Sequence, residues 1–217
     1  RFPDPVPGRH SDAGGTFRRA YIPFPETLLG VGETLTLSFA VRVVSVPSNN
    51  TAAFRFGLFN QETDFITADN QDSRTANDFG WANSMGIGVN GMALGYEAAG
   101  NTVLGGASPY GIAGIPGATT TPSDLGVGVN RSLVYTIERL DASSGTAKIL
   151  LDTVQVASGT RTGLSDADFT LDMLAIGSGS TVVDMRLDDV SLTVVPEPGA
   201  ATLLALAAGL LAVRRRR

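Results

Sequence analysis

Apolar and polar residues alternate in a series of short runs along this chain. Leu35, Leu37, Phe39, Val41 and Val43 are separated by Thr36, Ser38, Ala40 and Arg42. A period of two sustained this long is that of a strand with one buried face. Phe54, Phe56 and Leu58 repeat it, as do Leu133, Tyr135 and Ile137. Met85, Ile87 and Val89 form one strand, and Met92, Leu94 and Tyr96 the next. Asn90-Gly91 lies between those two and predicts a two-residue hairpin link, since both residues accept positive φ. Thr16 to Ile22 is a shorter candidate, anchored by Phe17 and Tyr21. Thr146 to Leu151 continues through Val154 and Val156, and Phe169, Leu171, Met173 and Ala175 make another strand. In the last strand Val183, Met185 and Leu187 share one parity, and Val190, Leu192 and Val194 the other. A phase change of one residue inside a strand predicts a β-bulge at Asp188-Asp189.

The intervening segments lack both periods. Arg1 to Gly15 reads as loop, and Pro23 to Glu33 as a turn with Leu28, Leu29 and Val31 turned inward. Asn60 to Ser84 is a long polar loop. Ala98 to Val129, rich in Gly, Pro, Thr and Ser, has little to bury. No stretch of the body carries a helical period. Many short strands with turn residues between them predict an all-β, antiparallel jelly-roll sandwich over residues 1–195.

The pattern changes at residue 196. Pro196-Glu197-Pro198 is followed by Gly199 to Val213 without a charge, then by Arg214, Arg215, Arg216 and Arg217. As a short hydrophobic helix the apolar run would be ~22 Å long at ~1.5 Å per residue. That is short of the ~30 Å hydrocarbon core of a bilayer. Four arginines would hold the C-terminus on the cytoplasmic side and leave the body outside. Two prolines keep the tripeptide extended. This ordered set, residues 196–217, resembles the PEP-CTERM sorting signal of exported bacterial proteins. The resemblance implies a tail recognised at Pro196, Glu197 and Pro198 and removed by exosortase, a membrane processing enzyme. It implies transient anchoring in the inner membrane of a Gram-negative-type bacterium, then a place on the cell surface or in the extracellular matrix.

The body has its own resemblance. The long strand, Phe54-Arg55-Phe56-Gly57-Leu58-Phe59, the hairpin, Tyr135-Thr136-Ile137-Glu138-Arg139 and Leu187-Asp188-Asp189-Val190-Ser191-Leu192 follow one another as in concanavalin A-like jelly-roll domains of cell-surface proteins. This is a likeness of strand pattern, and it implies a fold rather than an activity.

Charge narrows the partners. Sixteen basic and twenty-one acidic residues give the chain −5. Without the tail's four arginines and Glu197 the body holds twelve basic and twenty acidic residues, or −8. That argues against nucleic acid and anionic lipid as partners of the body. There is no cysteine, so no disulfide supports the fold. The first thirty residues carry no apolar signal region, and Pro3, Pro5, Pro7 and Gly8 read as a linker. Either the signal has already been removed or the sequence is a fragment; the linker-like start favours a fragment, with a signal peptide and any missing first strand expected upstream.

Candidate chemistry in the body is sparse. Glycan hydrolases of the lectin-like fold place acids as Glu-x-Asp-x-x-Glu on one strand, giving the acid and nucleophile pair. Glu62-Thr63-Asp64 begins such a run, but position 67 is Thr67. His10 is the only histidine and stands in the N-terminal loop, a poor base for a triad. Asp64, Asp69, Asn70, Asp72 and Asp78 crowd one loop, and Asp69, Asp72 and Asp78 are weak calcium candidates. They do not match EF-hand spacing, and a solvated polar loop accounts for them. Trp81 and Tyr110 offer rings on which a sugar could stack, with Phe79 and Tyr96 near them in sequence; Tyr96 belongs to a strand's apolar face and to the core.

The sequence therefore reads as a non-enzymatic, exported surface or matrix protein that needs no cofactor. It is processed through its tail and has exopolysaccharide as a candidate ligand. Two alternatives stay open. One is an extracellular glycan-active enzyme; the other is a ligand-free structural module with a plain C-terminal membrane anchor.

Overall fold

A computed structural model describes residues 9–11, 18–45, 52–62, 77–88, 91–97, 104, 114–178 and 184–196. They form twelve strands: β1 (Arg9–Ser11), β2 (Arg18–Leu28), β3 (Thr34–Ser45), β4 (Ala52–Asn60), β5 (Phe79–Ile87), β6 (Met92–Glu97), β7 (Thr119–Thr120), β8 (Asn130–Arg139), β9 (Ser144–Leu151), β10 (Val154–Thr162), β11 (Thr170–Ser178) and β12 (Asp184–Val195). One 3-10 turn, Asp166–Phe169, precedes β11. The first sheet runs β1-β2-β11-β4-β5-β6 and the second β12-β3-β8-β9-β10-β7. All strand pairings between these elements are antiparallel.

The alternation seen in sequence sets the core. Leu35, Leu37, Phe39, Val41 and Val43 of β3 face Phe54, Phe56 and Leu58 of β4 across the sandwich, all buried. Phe39 meets Phe54 and Phe56 edge-on, with centroids 5.9 and 5.6 Å apart, and Phe56 meets Tyr135 at 5.6 Å. Edge-to-face rings at such distances are a favoured arrangement. The predicted bulge is present. Asp188 pairs with Ala40 and Ser191 with Ser38, so β12 spends one extra residue, and Asp189 sits at φ 52. Met185 and Leu187 before it, and Val190 and Leu192 after it, all pack on the core.

Several boundaries differ from the sequence reading. Pro23 to Leu28 continues β2 instead of turning. β1 pairs only with residues 19–21, so the outer edge of β2 beyond Tyr21 has no partner among the described residues, and proline fits a free edge. Leu29 is buried as expected, but Leu28 and Val31 are 53% and 55% exposed. β5 begins at Phe79, inside the expected loop, because its second face is made of Gly80, Ala82 and Ser84 and reads as polar in sequence. The stretch from Ala98 to Val129 does bury residues: Leu104, Ile115 and Leu125.

Two hairpins also differ. β9 and β10 are separate strands, with Leu151 opposite Val154 and Asp152-Thr153 as the link at φ 49 and 72. β5 and β6 do pair, but Met92 lies opposite Met85, so Asn90-Gly91 is not a two-residue link. The end of β5 is held instead by residues 123–125: Leu125 N donates to Gly86 O at 3.1 Å, Gly88 N to Asp124 Oδ1 at 2.8 Å, and Gly91 N to Ser123 O at 3.1 Å. The positive φ falls on Gly88, at 71°, and Gly91 is not among the described glycines with one.

Candidate functional site

Strand parity determines what the outer face of the first sheet displays. Phe54, Phe56 and Leu58 point into the core, so Arg55, Gly57 and Phe59 point away from it. The ladder extends this into rows. Arg19, Gly177, Arg55, Ser84 and Ala93 lie side by side across β2, β11, β4, β5 and β6. The next row is Tyr21, Ala175, Gly57, Ala82 and Gly95, and the third is Pro23, Met173, Phe59, Gly80 and Glu97. Polar and charged groups thus stand around a floor of small residues. The floor tolerates no more bulk at Gly57, where a Cβ would lie 2.6 Å from the Trp81 carbonyl oxygen.

Leu104 occupies this face. It packs with Tyr21, Phe59, Ala82, Met173 and Ala175 in an apolar cluster separate from the main core. Its backbone is gripped at both polar atoms: its N–H donates to Glu97 Oε2 at 2.8 Å, and its carbonyl accepts from Arg55 Nη1 at 2.7 Å. It is 1% exposed and holds φ 58, a conformation that costs a non-glycine residue roughly 1–3 kcal/mol. Burial lowers the pKa of Arg55; nearby Arg19 acts in the same direction and Glu97 opposes it. Chemically, the face holds an occupant that presents one acceptor to a guanidinium and one donor to a carboxylate. In this structure that occupant is the backbone of Leu104.

At the edge of the same face Asp172 accepts a hydrogen bond from Gln61 N at 3.0 Å. Its carboxyl is pushed up to about 6, first by burial and then by Glu26.

Trp81 is fully buried; its ring packs on Tyr96 and Phe169, and its Nε1 donates to Asp168 O at 3.1 Å. It has no free face for a sugar, which corrects that expectation. Tyr96 is in the core, as its parity indicated, with its hydroxyl on the Asp168 carboxylate. Burial first, and then that carboxylate, raise the tyrosine pKa. Asp78 is fully buried, not part of a solvated loop. Tyr110, Asp64, Asp69, Asn70, Asp72 and Thr67 lie outside the described residues, as do Glu197, Pro198, the apolar run expected to be helical and Arg214 to Arg217. Pro196 is exposed and follows the last residue of β12. His10 is in β1, opposite Ala20. Among the described residues no three His, Cys, Asp or Glu side chains stand together as metal ligands, and no helix is long and apolar enough to cross a membrane.

Arg19, Arg55, Glu97 and Leu104 were not singled out in sequence. Arg55 between Phe54 and Phe56 was readable as the other face of a strand. That this face is covered was not, because Leu104 lies 49 residues away from Arg55 in a stretch without period.

No family model and no curated protein matches the chain. Among solved structures it is similar to a protein of unknown function with a galectin-like fold from Bacillus subtilis. That match has 7% identity and a TM-score of 0.50, over 83% of this chain and 79% of the other. It is also similar to an endo-1,3-beta-glucanase from Streptomyces sioyaensis, at 14% identity and TM-score 0.49, over 87% and 74% of the two chains. A third is the carbohydrate recognition domain of Emp46p, at 11% identity and TM-score 0.47, over 87% and 79%. At such identity the likeness is one of fold alone. The body of this chain is an all-β, galectin-like jelly roll.

Proposed function

We propose that this is an exported cell-surface or matrix protein whose tail is a sorting signal for an exosortase-type enzyme, and whose jelly roll has no catalytic role. The observation that carries the reading is where the sheet stops. β12 runs to Val195, and Pro196, the first residue of the tripeptide, is exposed immediately beyond it. Two prolines prevent further ladder bonds, which suits a tripeptide that an enzyme reads by its backbone and one carboxylate. Glu197→Ala should leave the body folded and the tail uncleaved. The test is the mass of the protein from a host carrying exosortase, wild type beside variant. Equal processing of both would remove the role given to the tripeptide, and a plain membrane anchor would take its place.

A second reading concerns polysaccharide. It is favoured by the outer face of the first sheet, where Arg55 and Glu97 hold a donor–acceptor pair over a floor of small residues. Sugar hydroxyls and carboxylates present the same pair of functions. Leu104→Pro removes the N–H held by Glu97 and cannot adopt φ 58, so it lifts the covering backbone from that face. The variant should be retained on an exopolysaccharide column more strongly than wild type. Passage of both in the void volume would leave the jelly roll as a ligand-free module.

A further inference from the structure

Among the described residues, the large hydrophobic side chains left in solvent are gathered at the two ends of the sandwich. Leu28 (53%), Val31 (55%), Leu140 (42%), Val194 (39%) and Val195 (51%) are exposed. The ladder brings these five to one end. Val195 lies opposite Thr34, and Thr34 opposite Glu138. Gly32 N donates to Arg139 O at 2.7 Å, and Leu28 lies opposite Thr170. Val127, Val129 and Val154 lie at the other end, where Val43 bridges Val127 and the β9–β10 link turns.

What distinguishes the first end is that the tail leaves from it. Pro196, Glu197 and Pro198 are the only residues between β12 and the apolar run that starts at Gly199. Extended, three residues reach ~10 Å. With the run in a bilayer, this end of the body cannot stand farther off than that. The run itself is fifteen residues, ~22 Å as a helix, against a ~30 Å hydrocarbon core. The shortfall of ~8 Å falls within the ~5–10 Å to which apolar surfaces sink at the headgroup boundary.

We propose that the end of the jelly roll carrying Leu28, Val31, Leu140, Val194 and Val195 is a membrane-contacting surface that sinks into the headgroup boundary while the tail is inserted. This rests on the tail reading given above. The exposed Asp141 and Asp166 at the same end suit a zwitterionic rather than an anionic surface. The span then begins deeper than the membrane surface, and the body supplies the missing apolar depth.

The chain has no cysteine, so single labels are available without removing any. Val31→Cys, Leu140→Cys and Val154→Cys of the full chain would each carry an environment-sensitive fluorophore and be reconstituted in phosphatidylcholine–phosphatidylethanolamine vesicles. Labels at 31 and 140 should shift to the blue and be quenched by lipids with nitroxides near the headgroups. A label at 154, more exposed in its native valine but at the far end, should do neither. Equal responses at all three sites, or none at 31 and 140 in protein that floats with the vesicles, would overturn the contact surface and leave the tail reading standing. Protein that does not float with the vesicles would defeat the tail reading, and this proposal with it.

Discussion

Thr153 holds φ 72 in the link between β9 and β10, a conformation that β-branched residues adopt only under strain. Asp152 compensates: its Oδ1 accepts from Ser132 N at 2.9 Å and its Oδ2 from Arg131 Nη1 at 2.7 Å. Thr153→Gly should therefore raise stability by about 0.5–1.5 kcal/mol, read as a higher urea midpoint at unchanged slope. This hairpin was illegible because the usual signal is Asn or Gly at the second link position, and here Thr occupies it. Asp172 is the other residue with a measurable signature. Its folded pKa of about 6 lies above the ~3.9 of an unfolded aspartate. The group favours folding while protonated, so its contribution is complete below pH ~4 and is lost as pH rises through about 6. Asp172→Asn keeps the acceptor for Gln61 N and should flatten that dependence. It should stabilise the protein at pH 7.5 by roughly 1–3 kcal/mol while changing little at pH 4. Urea titrations at the two pH values check it.

β12 is a long edge strand with one side unpartnered among the described residues, a form that invites pairing with another chain. The bulge at Asp188-Asp189 breaks its regularity, and both carboxylates are exposed there. Deleting Asp189 would remove the extra residue and put Val190, Leu192 and Val194 on the opposite face of the strand. The expected result is a protein that aggregates or unfolds, seen by light scattering and circular dichroism; an unchanged monomer would show that the bulge does not set the register. The flip in apolar parity made this element legible, residue by residue. The link between β5 and β6 was misread for the opposite reason. Asn90-Gly91 has the local chemistry of a tight turn, yet residues 123–125 hold the end of β5 through bonds that no local pattern contains. Gly88→Val tests the corrected geometry. A Cβ there meets nothing within 4 Å, so a loss of about 1–3 kcal/mol would come from φ 71 alone.

At the scale of the whole molecule, fold class was legible and the candidate site was not. A period-two run such as Leu35 to Val43 reports burial directly, and it is a strand of the sandwich; Phe169, Leu171, Met173 and Ala175 instead divide between the 3-10 turn, the core and the outer face across a register shift. The outer face of the first sheet depends on Arg19, Arg55 and Glu97 arriving from three different strands, with Leu104 laid over them. Only the order of strands in space reveals that. The same order has a consequence for timing. β11 lies between β2 and β4, so Ala175 pairs with Tyr21 on one side and Gly57 on the other. A chain that emerges N-terminus first can form the local hairpins of β4, β5 and β6, and of β8, β9 and β10, as they appear. It must hold β2 apart from β4 until residue 178 is available, and β3 keeps an open edge until residue 195. Long-range closure of this kind is slow. The body of this protein therefore becomes a folded object only when nearly all of it has been delivered, and the last residues to complete the second sheet are those that adjoin the tripeptide.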